Sequence, residues 1–324
     1  MARAPRGLAG GRWRVTQLTA YLAAEGFEAD LDQELAGAAV SRRHGRLVLT
    51  EGPAIAAAWA ANIWHDARII PIASIGEGAK ALRAIQRNWW PYAPTLHRRT
   101  ALMVEKLPKV SAKPITFGQQ PPTAPLGSFT LLDESTLLAA GHCSSAFPNG
   151  ELNFVEDRVN PPNRAYLKLW DVFTRLGVRP APGELCVDLG ACPGGWTWVL
   201  AGLGARVISV DKAPLDPRIE AMEGVMVRKE SAFGLTPADL GPVDWLFSDV
   251  ICYPERLLRL VERFIAAGTV KNFVCTIKFQ GETDHAMAAA FAAIPGSAVM
   301  HLHHNKHELT WVRLATVALP DGTV

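Results

Sequence analysis

The sequence predicts an α/β unit in the second half of the chain and a smaller α+β unit in the first half. The prediction depends on the length of 324 residues, on a regular alternation of strand and helix patterns after Pro182, and on shorter, irregular patterns before it. At roughly 100–200 residues per domain, this length suits about two domains. We place the boundary after residue 150, which gives a front unit of residues 1–150 and a second unit of residues 151–324.

The composition is that of a folded globular protein. Hydrophobic residues make up 49% of the chain and charged residues 20%, which suits a buried core and excludes wholesale disorder. No apolar run reaches the ~18 residues that a membrane-spanning helix needs, and no apolar stretch follows the arginines at the start, so we expect no signal peptide. Five cysteines without a C-x-x-C pair argue against a disulfide framework and a cysteine zinc site. We expect a soluble, cytoplasmic protein.

The charge is distributed unevenly between the halves. Residues 1–150 carry 16 Lys and Arg against 11 Asp and Glu, whereas residues 151–324 carry 17 against 20. A basic front half can favour a polyanion such as nucleic acid, and an ordinary scatter of solvated charges explains the same counts equally well.

The front half has few regular patterns. Arg46–Leu49 is predicted as a strand, while Leu18–Leu35 and Ala54–Trp64 have helical character. Ser128–Gly141 is predicted as a strand followed by a short helix. Two stretches rich in Pro, Gly and Asn predict a linker or long loops; they are Lys106–Gly127 and Pro148–Asn163.

The second half alternates between strands and helices, which predicts a parallel sheet covered on both faces. The predicted strands are Leu185–Leu189, Arg206–Asp211, Val225–Val227, Val243–Asp249, Asn272–Phe279, Ala298–His304 and Leu309–Ala318. The predicted helices are Gly195–Leu203, Pro254–Ala267 and Thr283–Ala293. Only Asn305–Glu308 joins the last two strands, which is too short for a crossover helix, so these strands should be antiparallel. A mostly parallel sheet with an antiparallel last strand is the Rossmann-like sheet of class I methyltransferases.

The strongest local motif is the glycine turn after the first strand of this sheet. Glycine lets the backbone approach a ligand, and the following helix N-terminus offers free N–H groups. The G-x-G-x-x-G dinucleotide fingerprint is not matched, because Cys192 and Pro193 lie inside the turn. Asp211 ends the next strand, where it can accept hydrogen bonds from ribose hydroxyls. The predicted cofactor-binding residues of the turn are Gly190, Ala191, Cys192, Pro193, Gly194, Gly195 and Trp196.

These features favour an adenosine-bearing ligand that lacks a pyrophosphate, namely S-adenosylmethionine. A purely structural turn between strand and helix is the alternative interpretation.

Four charged residues are expected at the same edge of the sheet. Asp249 and Lys278 end the fourth and fifth strands, Glu308 precedes the last strand, and Lys168 lies ahead of the first. Ligands of open α/β sheets bind beyond the carboxyl ends of the strands, so these charges can converge beside the cofactor turn. Ordinary surface ion pairs are the alternative.

On these motifs, residues from about 160 to 318 resemble the FtsJ-type family of RNA ribose 2′-O-methyltransferases. The family carries a Lys-Asp-Lys-Glu tetrad, and Lys168, Asp249, Lys278 and Glu308 match its four motif positions in order. The segment DLGACPGGWTW is most similar to the group that methylates large-subunit rRNA, in which a THUMP-like RNA-binding region precedes the catalytic domain. The residues 26–35 are faintly similar to the opening of that region.

The resemblance implies S-adenosylmethionine as the cofactor and assigns the adenine contact to the segment after the third strand. The family usually has an acid there, followed by a small or aromatic residue. In this chain either Glu230 or Ser231 must make that contact, and Asp249 is expected beside the transferring methyl group.

The roles of the tetrad follow from the chemistry of the ribose. A 2′-hydroxyl is a poor nucleophile until it loses its proton, and a lysine that titrates near ~10.4 is a poor base at neutral pH. A second ammonium group nearby disfavours the protonated form. We expect Lys278 to be the general base and Lys168 to lower its pKa and steer the hydroxyl. Asp249 would orient Lys278, and Glu308 would hold Lys168 or the ribose.

The expected function is therefore 2′-O-methylation of a ribose in RNA, most specifically of a cytidine in large-subunit, 23S-type rRNA. Methylation of tRNA or of an mRNA cap, and a catalytically inactive RNA-binding homologue, are the alternatives. The chemistry requires no metal, although four histidines crowd into the segment 301–307. Trp89 and Trp90 can stack on unpaired bases, but packing inside the front unit is the more ordinary interpretation. The sequence predicts no membrane partner and leaves the oligomeric state open.

Overall fold

The computed structural model describes residues 17–315 of the chain. The expectation about a signal peptide and residues 316–318 of the last predicted strand lie outside this range. Within it, no helix has both the length and the apolar character needed to cross a membrane.

The front half contains two antiparallel-rich sheets with helices beside them. Its strands are β1 (Leu18–Ala23), β2 (Ala39–His44), β3 (Leu47–Glu51), β4 (Ala60–His65), β5 (Arg68–Pro71), β6 (Trp89–Pro91), β7 (Gly127–Asp133), β8 (Thr136–Ala140) and β9 (His142–Cys143). Its helices are α1 (Glu28–Glu34), α2 (Ile75–Ile85) and α3 (His97–Val104). One sheet has the order β2-β3-β1-β4-β9 and the other the order β5-β8-β7-β6.

Three predictions for the front half are wrong in part. The helix predicted over Leu18–Leu35 is β1 followed by α1, because β1 is buried between β3 and β4, where sheet pairing outweighs the helix propensity of Leu and Ala. The segment Ala54–Trp64, predicted to be helical, contains no helix, and its second part is β4, which pairs with β1. The helix predicted after the strand near Ser128 is instead β8, the second strand of a hairpin. Its turn is fixed by the Asp133 carboxylate, which accepts the backbone N–H of Ser135 at 2.9 Å.

Two other secondary-structure predictions for the front half agree with the structure. The strand predicted over Arg46–Leu49 is β3, displaced by one or two residues. Residues 105–126 contain no helix and no strand, so the predicted linker is a long loop between α3 and β7.

The second half confirms the predicted Rossmann-like sheet. Its strands are β10 (Leu185–Leu189), β11 (Arg206–Asp211), β12 (Val225–Lys229), β13 (Val243–Ser248), β14 (Val270–Lys278), β15 (Ser297–Met300) and β16 (Glu308–Arg313). Its helices are α4 (Tyr166–Leu176), α5 (Gly195–Gly202), α6 (Pro217–Glu220), α7 (Pro237–Leu240), α8 (Pro254–Ala267) and α9 (His285–Ala292). The order is β12-β11-β10-β13-β14-β16-β15, and β16 is antiparallel to both of its neighbours. The strand predicted over Ala298–His304 ends at Met300, where the chain turns back into β16.

The two halves meet at a cluster of rings that we call the aromatic junction. Its members are Phe27, Trp59, Phe279, His301 and His307. The ring centroids of Phe27 and Trp59 are 4.5 Å apart, and those of Trp59 and His301 are 5.1 Å apart. The backbone N–H of His301 also donates to the carbonyl of Ala58 at 2.8 Å. Front-half residues therefore pack directly on the segments that follow β14 and precede β16.

A second tie joins the halves through α4. The Arg175 guanidinium donates to the carbonyl of Gly150 at 2.7 Å and also pairs with the fully buried Asp171. Gly150 has a φ of +81°, and a Cβ there would lie 1.8 Å from the Ala61 carbonyl oxygen of β4. Only glycine therefore fits at this close approach.

We expect Gly150→Ala to lower the free energy of unfolding by about 2–5 kcal/mol, because it adds left-handed strain to a backbone clash. Gly177 is the matched control, since its φ is +67° but nothing lies within 4 Å of an added Cβ. Gly177→Ala should lower it by only about 1 kcal/mol. Urea denaturation of both variants measures the difference, and equal losses would contradict the close packing at Gly150.

Candidate active site

The four charged residues of the predicted tetrad lie together at the carboxyl edge of the sheet. Lys168 Nζ is 2.7 Å from Asp249 Oδ1 and 3.0 Å from Glu308 Oε1. Lys278 Nζ is 3.1 Å from the same Asp249 Oδ1. One carboxylate oxygen therefore accepts hydrogen bonds from two ammonium groups, which gives a buried network rather than separate surface ion pairs.

Secondary structure delivers each member to this point. Lys168 lies on the first turn of α4, and Asp249 follows β13 directly. Lys278 is the last residue of β14 and faces Glu308, the first residue of β16, in the antiparallel register. Because β16 runs back along β14, its first residue reaches the edge where the parallel strands end.

The charge state of the network is set by its two ammonium groups. Burial alone would raise the pKa of Asp249, but the positive charges of Lys168 and Lys278 outweigh it and hold this pKa below its ordinary value. Asp249 is therefore an anion at neutral pH. The side chain of Lys168 is only 9% exposed, and its Nζ also lies 5.7 Å from the centroid of the Trp196 ring.

The cofactor turn begins beside the tetrad, between β10 and α5. Gly190 has a φ of +76°, and a Cβ there would lie 2.7 Å from the Cα of Val250, so this position needs glycine. Gly194 is also left-handed, with a φ of +115°. A Cβ at Gly195 would lie 2.2 Å from Asn163 Oδ1, which shows how tightly the segment before α4 packs on the turn. The Trp196 indole N–H donates to the carbonyl of Ala165 at 2.9 Å, which fixes the start of α4 against the start of α5.

Cys192 and Ala191 lie inside the turn. The pKa of the Cys192 thiol is raised by burial and by the charge of Asp211. This direction fits a small loop residue and not a nucleophile. Ala191 is buried against Leu215 and Ile219, and the Cys192–Pro193 peptide bond is cis.

Beside the turn is a cleft of about 220 Å³ that contains the predicted nucleoside contacts. The Asp211 carboxylate accepts the backbone N–H groups of Cys192 at 3.0 Å and of Ala213 at 2.9 Å, which hold it at the mouth of the cleft. Glu230 and Ser231 both line the cleft. Glu230 pairs with Arg228 at 2.5 Å.

The apolar side of this cleft is not predicted by the sequence motifs. Its lining includes Phe233, Val250 and Ile251, and the guanidinium carbon of Arg256 lies 3.8 Å from the centroid of the Phe233 ring. Their position in the sequence could have identified these residues, since residues that follow β12 and β13 must reach the same edge as Asp211. Apolar walls beside the polar groups of Asp211, Glu230 and Ser231 suit a flat base attached to a ribose.

The crowded histidines are used for packing. His301 and His307 belong to the aromatic junction, and burial lowers the pKa of His301 to about 4, so its ring is neutral at pH 7. His304 lies against Phe154. Among residues 17–315, no group of three or more His, Cys, Asp and Glu side chains is arranged to hold a metal ion.

Residues 161–293 match the model of the FtsJ-like methyltransferase family. This range contains the cofactor turn, Lys168, Asp249 and Lys278, and the segment that carries Glu308 follows it. Residues 161–293 form an FtsJ-like methyltransferase domain. The resemblance inferred from the sequence motifs is thereby confirmed.

Curated relatives extend this result. The ribosomal RNA large subunit methyltransferase M of Halorhodospira halophila is 35% identical over 159 residues, which are 47% of this chain and 46% of that protein. In such alignments the chain spans about half the length of the curated relatives that it matches. The protein of the same name from Methylococcus capsulatus is 28% identical over 322 residues, which are 93% of this chain and 89% of that protein. A ribosomal RNA methyltransferase of Plasmodium falciparum with a crystal structure is 14% identical and covers 47% of this chain and 96% of its own, with a TM-score of 0.36.

The cofactor of the FtsJ-like domain is S-adenosylmethionine, as predicted. The residues of the edge fit this group. The Asp211 carboxylate suits ribose hydroxyls, Glu230 or Ser231 suits the adenine amine, and the left-handed Gly190 leaves the turn without a side chain where it lines the cleft.

Beneath the turn, Asp188 is a fully buried acid. Its Oδ2 accepts the Thr197 hydroxyl at 2.7 Å, and Oδ1 has no partner among the residues that the structure describes. Burial, assisted by the negative charges of Asp249 and Asp211, raises the pKa of Asp188 to about 7 from its ordinary value of 3.8.

The raised pKa of Asp188 predicts how the stability of the protein depends on pH. Between about pH 4 and pH 7 the folded protein keeps a proton on Asp188 that the unfolded chain has released, so the free energy of unfolding falls as pH rises through this window and levels off above it. Asp188→Asn imitates the neutral acid and should remove this fall, roughly 1 kcal/mol per pH unit. Urea denaturation of both proteins at pH 4.5 to 8 measures the two slopes, and parallel slopes would refute the assignment.

Proposed function

We propose that this protein transfers a methyl group from S-adenosylmethionine to the 2′-oxygen of a ribose in RNA, and that the RNA is large-subunit rRNA. The observation that supports it most strongly is the buried contact of Lys168 and Lys278 with one oxygen of Asp249, beside a cleft suited to a nucleoside. S-adenosylmethionine supplies a methyl group that its sulfonium sulfur has already activated. The protein's task is therefore to position the hydroxyl and remove its proton.

Lys278 is the proposed general base. Among the residues that the structure describes, its Nζ makes one ion pair, at 3.1 Å, whereas Lys168 makes two, at 2.7 and 3.0 Å. Lys168 is thus held between two carboxylates, whereas Lys278 contacts only the carboxylate that it shares with Lys168. Lys278 in its uncharged form then takes the proton of the 2′-hydroxyl as the oxygen–methyl bond forms.

The other three side chains position the base and the hydroxyl. Asp249 orients Lys278 and keeps two ammonium groups close together that would otherwise repel each other. Glu308 fixes Lys168, which in turn steers the hydroxyl. The acids offset the charge of the lysines, so the buried site carries no large net charge.

Large-subunit rRNA is the preferred substrate because curated relatives that carry this name align with the FtsJ-like domain and, in one case, with both halves of the chain. We take a cytidine of 23S-type rRNA as the target, the cytoplasm as the site of the reaction, and the α+β front unit, THUMP-like in its role, as the part that positions the RNA. The excess of basic residues in residues 1–150 suits this role.

Two alternatives remain distinct outcomes of the test. The same tetrad can serve tRNA or an mRNA cap, and a homologue without catalysis would still bind RNA. The complete ion-pair network favours an active enzyme, because removing Lys168 and much of Lys278 from water costs free energy that an ion pair does not reliably return as stability.

The decisive measurement is methyl transfer from labelled S-adenosylmethionine to unmodified total RNA, with mapping of alkali-resistant label. Lys278→Ala should reduce the rate about 10²–10⁴-fold, because it removes the base. Lys278→Arg should be equally inactive, since a guanidinium keeps the charge but does not lose its proton. Label at one ribose of rRNA would support the full proposal, and label in tRNA would support the alternative.

The matched control is Lys271, which lies on the same strand β14 but pairs with Asp244 at 2.7 Å, at the opposite end. Lys271→Ala should transfer methyl groups at the wild-type rate. Undiminished transfer by Lys278→Ala would refute the base assignment.

The aromatic junction makes a further prediction for catalysis. Trp59 is fully buried and packs on Phe279 and His307, the neighbours in sequence of Lys278 and Glu308. Trp59→Ala should lower kcat about 10- to 100-fold, because the two catalytic side chains lose their support, while the Kd for S-adenosylmethionine stays within about twofold of wild type. Trp59→Phe should restore most of the rate.

Trp64 is the control for a general loss of stability. It is equally buried, but it belongs to the core cluster on the other face of β4 and does not contact the junction. If Trp64→Ala lowered kcat as much as Trp59→Ala at equal folded fraction, the positioning role of Trp59 would be wrong.

A further inference from the structure

A second cleft, about 400 Å³ in volume, lies in the front half, away from the cofactor turn. Its walls are the long loop after α3 and the segment around residues 146–153. Nothing in the catalytic chemistry described above uses it. It is larger than the nucleoside cleft beside Asp211, whose volume is about 220 Å³.

The cleft contains Trp90, which strand alternation turns away from the core. The preceding residue, Trp89, is buried against α2, and its indole N–H donates to the carbonyls of Leu82 and Gln86 at 3.1 and 3.0 Å. Successive side chains of a strand point to opposite faces, so Trp90 presents its ring on the other side of β6, where it is half-buried and lines the cleft. The packing interpretation therefore describes Trp89, whereas Trp90 leaves part of its ring open to the cleft.

The polar lining combines amides and free cations. Asn88, Asn149 and Asn153 line the walls, and Asn149 Oδ1 has no hydrogen-bond partner among the residues that the structure describes. Lys109 and Lys113 are exposed at the rim, and within the described range neither forms an ion pair. Glu151, the acid of the cleft, is paired with Arg46 at 3.7 Å.

The cleft leads towards the tetrad through shared residues. Glu151 also lines a smaller cleft of about 140 Å³ at the junction of the two halves, together with His301, His303 and Asn305. Asn305 donates to the backbone carbonyl of Glu308 at 3.2 Å. A polymeric ligand bound at Trp90 can therefore continue towards the catalytic edge.

We propose that the Trp90 cleft binds an unpaired nucleotide of the RNA substrate outside the methylated position. The base stacks on the Trp90 ring, an asparagine side chain pairs with its polar edge, and Lys109 and Lys113 contact the adjoining phosphates. An aromatic face beside amides and unpaired lysines matches the three parts of a nucleotide, which are the π-face, the hydrogen-bonding edge and the anionic backbone. This inference rests on the proposed RNA substrate.

The first test is binding of a labelled single-stranded RNA decamer of mixed sequence, followed by fluorescence anisotropy. Trp90→Ala should weaken binding about tenfold, and Trp90→Phe should retain most of it, because stacking needs a ring. Lys109→Ser combined with Lys113→Ser should weaken binding. It should also make the slope of log Kobs against log salt concentration shallower, by the equivalent of about one phosphate contact or more. Lys80, an exposed lysine on α2, is the matched control, and Lys80→Ser should bind like wild type.

A second measurement separates this proposal from the proposed function. If wild type methylates rRNA but Trp90→Ala has the same KM, kcat and decamer affinity, the cleft proposal is wrong and the function stands. If wild type transfers no methyl group to any RNA but Trp90→Ala loses decamer binding, the cleft proposal stands and the function is wrong. A wild-type protein that does not bind the decamer also overturns the cleft proposal. Support is a raised KM for rRNA in Trp90→Ala with kcat and cofactor affinity near wild type.

Discussion

The active edge depends on one shared acceptor, the Oδ1 atom of Asp249. Two ammonium groups lie 2.7 and 3.1 Å from it, and without that negative charge they would repel each other in a buried setting. The two lysines come from places far apart in the chain, on α4 and at the end of β14. Asp249 therefore joins the helix that precedes the sheet to the sheet itself, and the catalytic geometry and the packing of α4 are stabilised by the same contacts.

The front half packs against the segments that carry Lys278 and Glu308. Trp59 and Phe27 pack on rings that flank Lys278 and Glu308, and the carbonyl of Ala58 accepts the backbone N–H of His301. The Glu34 carboxylate in turn accepts the N–H groups of Ala58 and Trp59 at 3.0 Å. A chain of contacts thus runs from α1 to the segments that carry Lys278 and Glu308. Under the proposed function, RNA bound to the front half is held in a fixed relation to Lys278.

The second half could be predicted from the sequence because its signals are local. The strands β10 and β11 and the helix α8 have the bounds that the pattern of apolar residues indicates, and the glycine turn is identified by backbone requirements at Gly190. The front half could not be predicted as well, since Leu18–Ala23 reads as a helix until its pairing with β3 and β4 is known. The tetrad was predicted from motif order, whereas the sharing of Asp249 Oδ1 and the aromatic junction depend on contacts between residues far apart in sequence.

The two clefts differ in chemistry in a way that fits two different parts of one reaction. The cleft at the sheet edge has two acids, Asp211 and Glu230, that suit hydroxyl and amino groups, and two cations, Lys212 and Arg256, beside them. The Trp90 cleft has its lysines at the rim and its one acid paired with Arg46, which suits an anionic chain. Glu151 lines both the Trp90 cleft and the smaller cleft that contains Asn305, and the proposal places an RNA strand in the front half while one ribose reaches Lys278. Anchoring at a distance lets binding energy orient the hydroxyl without crowding the base, which is how remote contacts raise a catalytic rate.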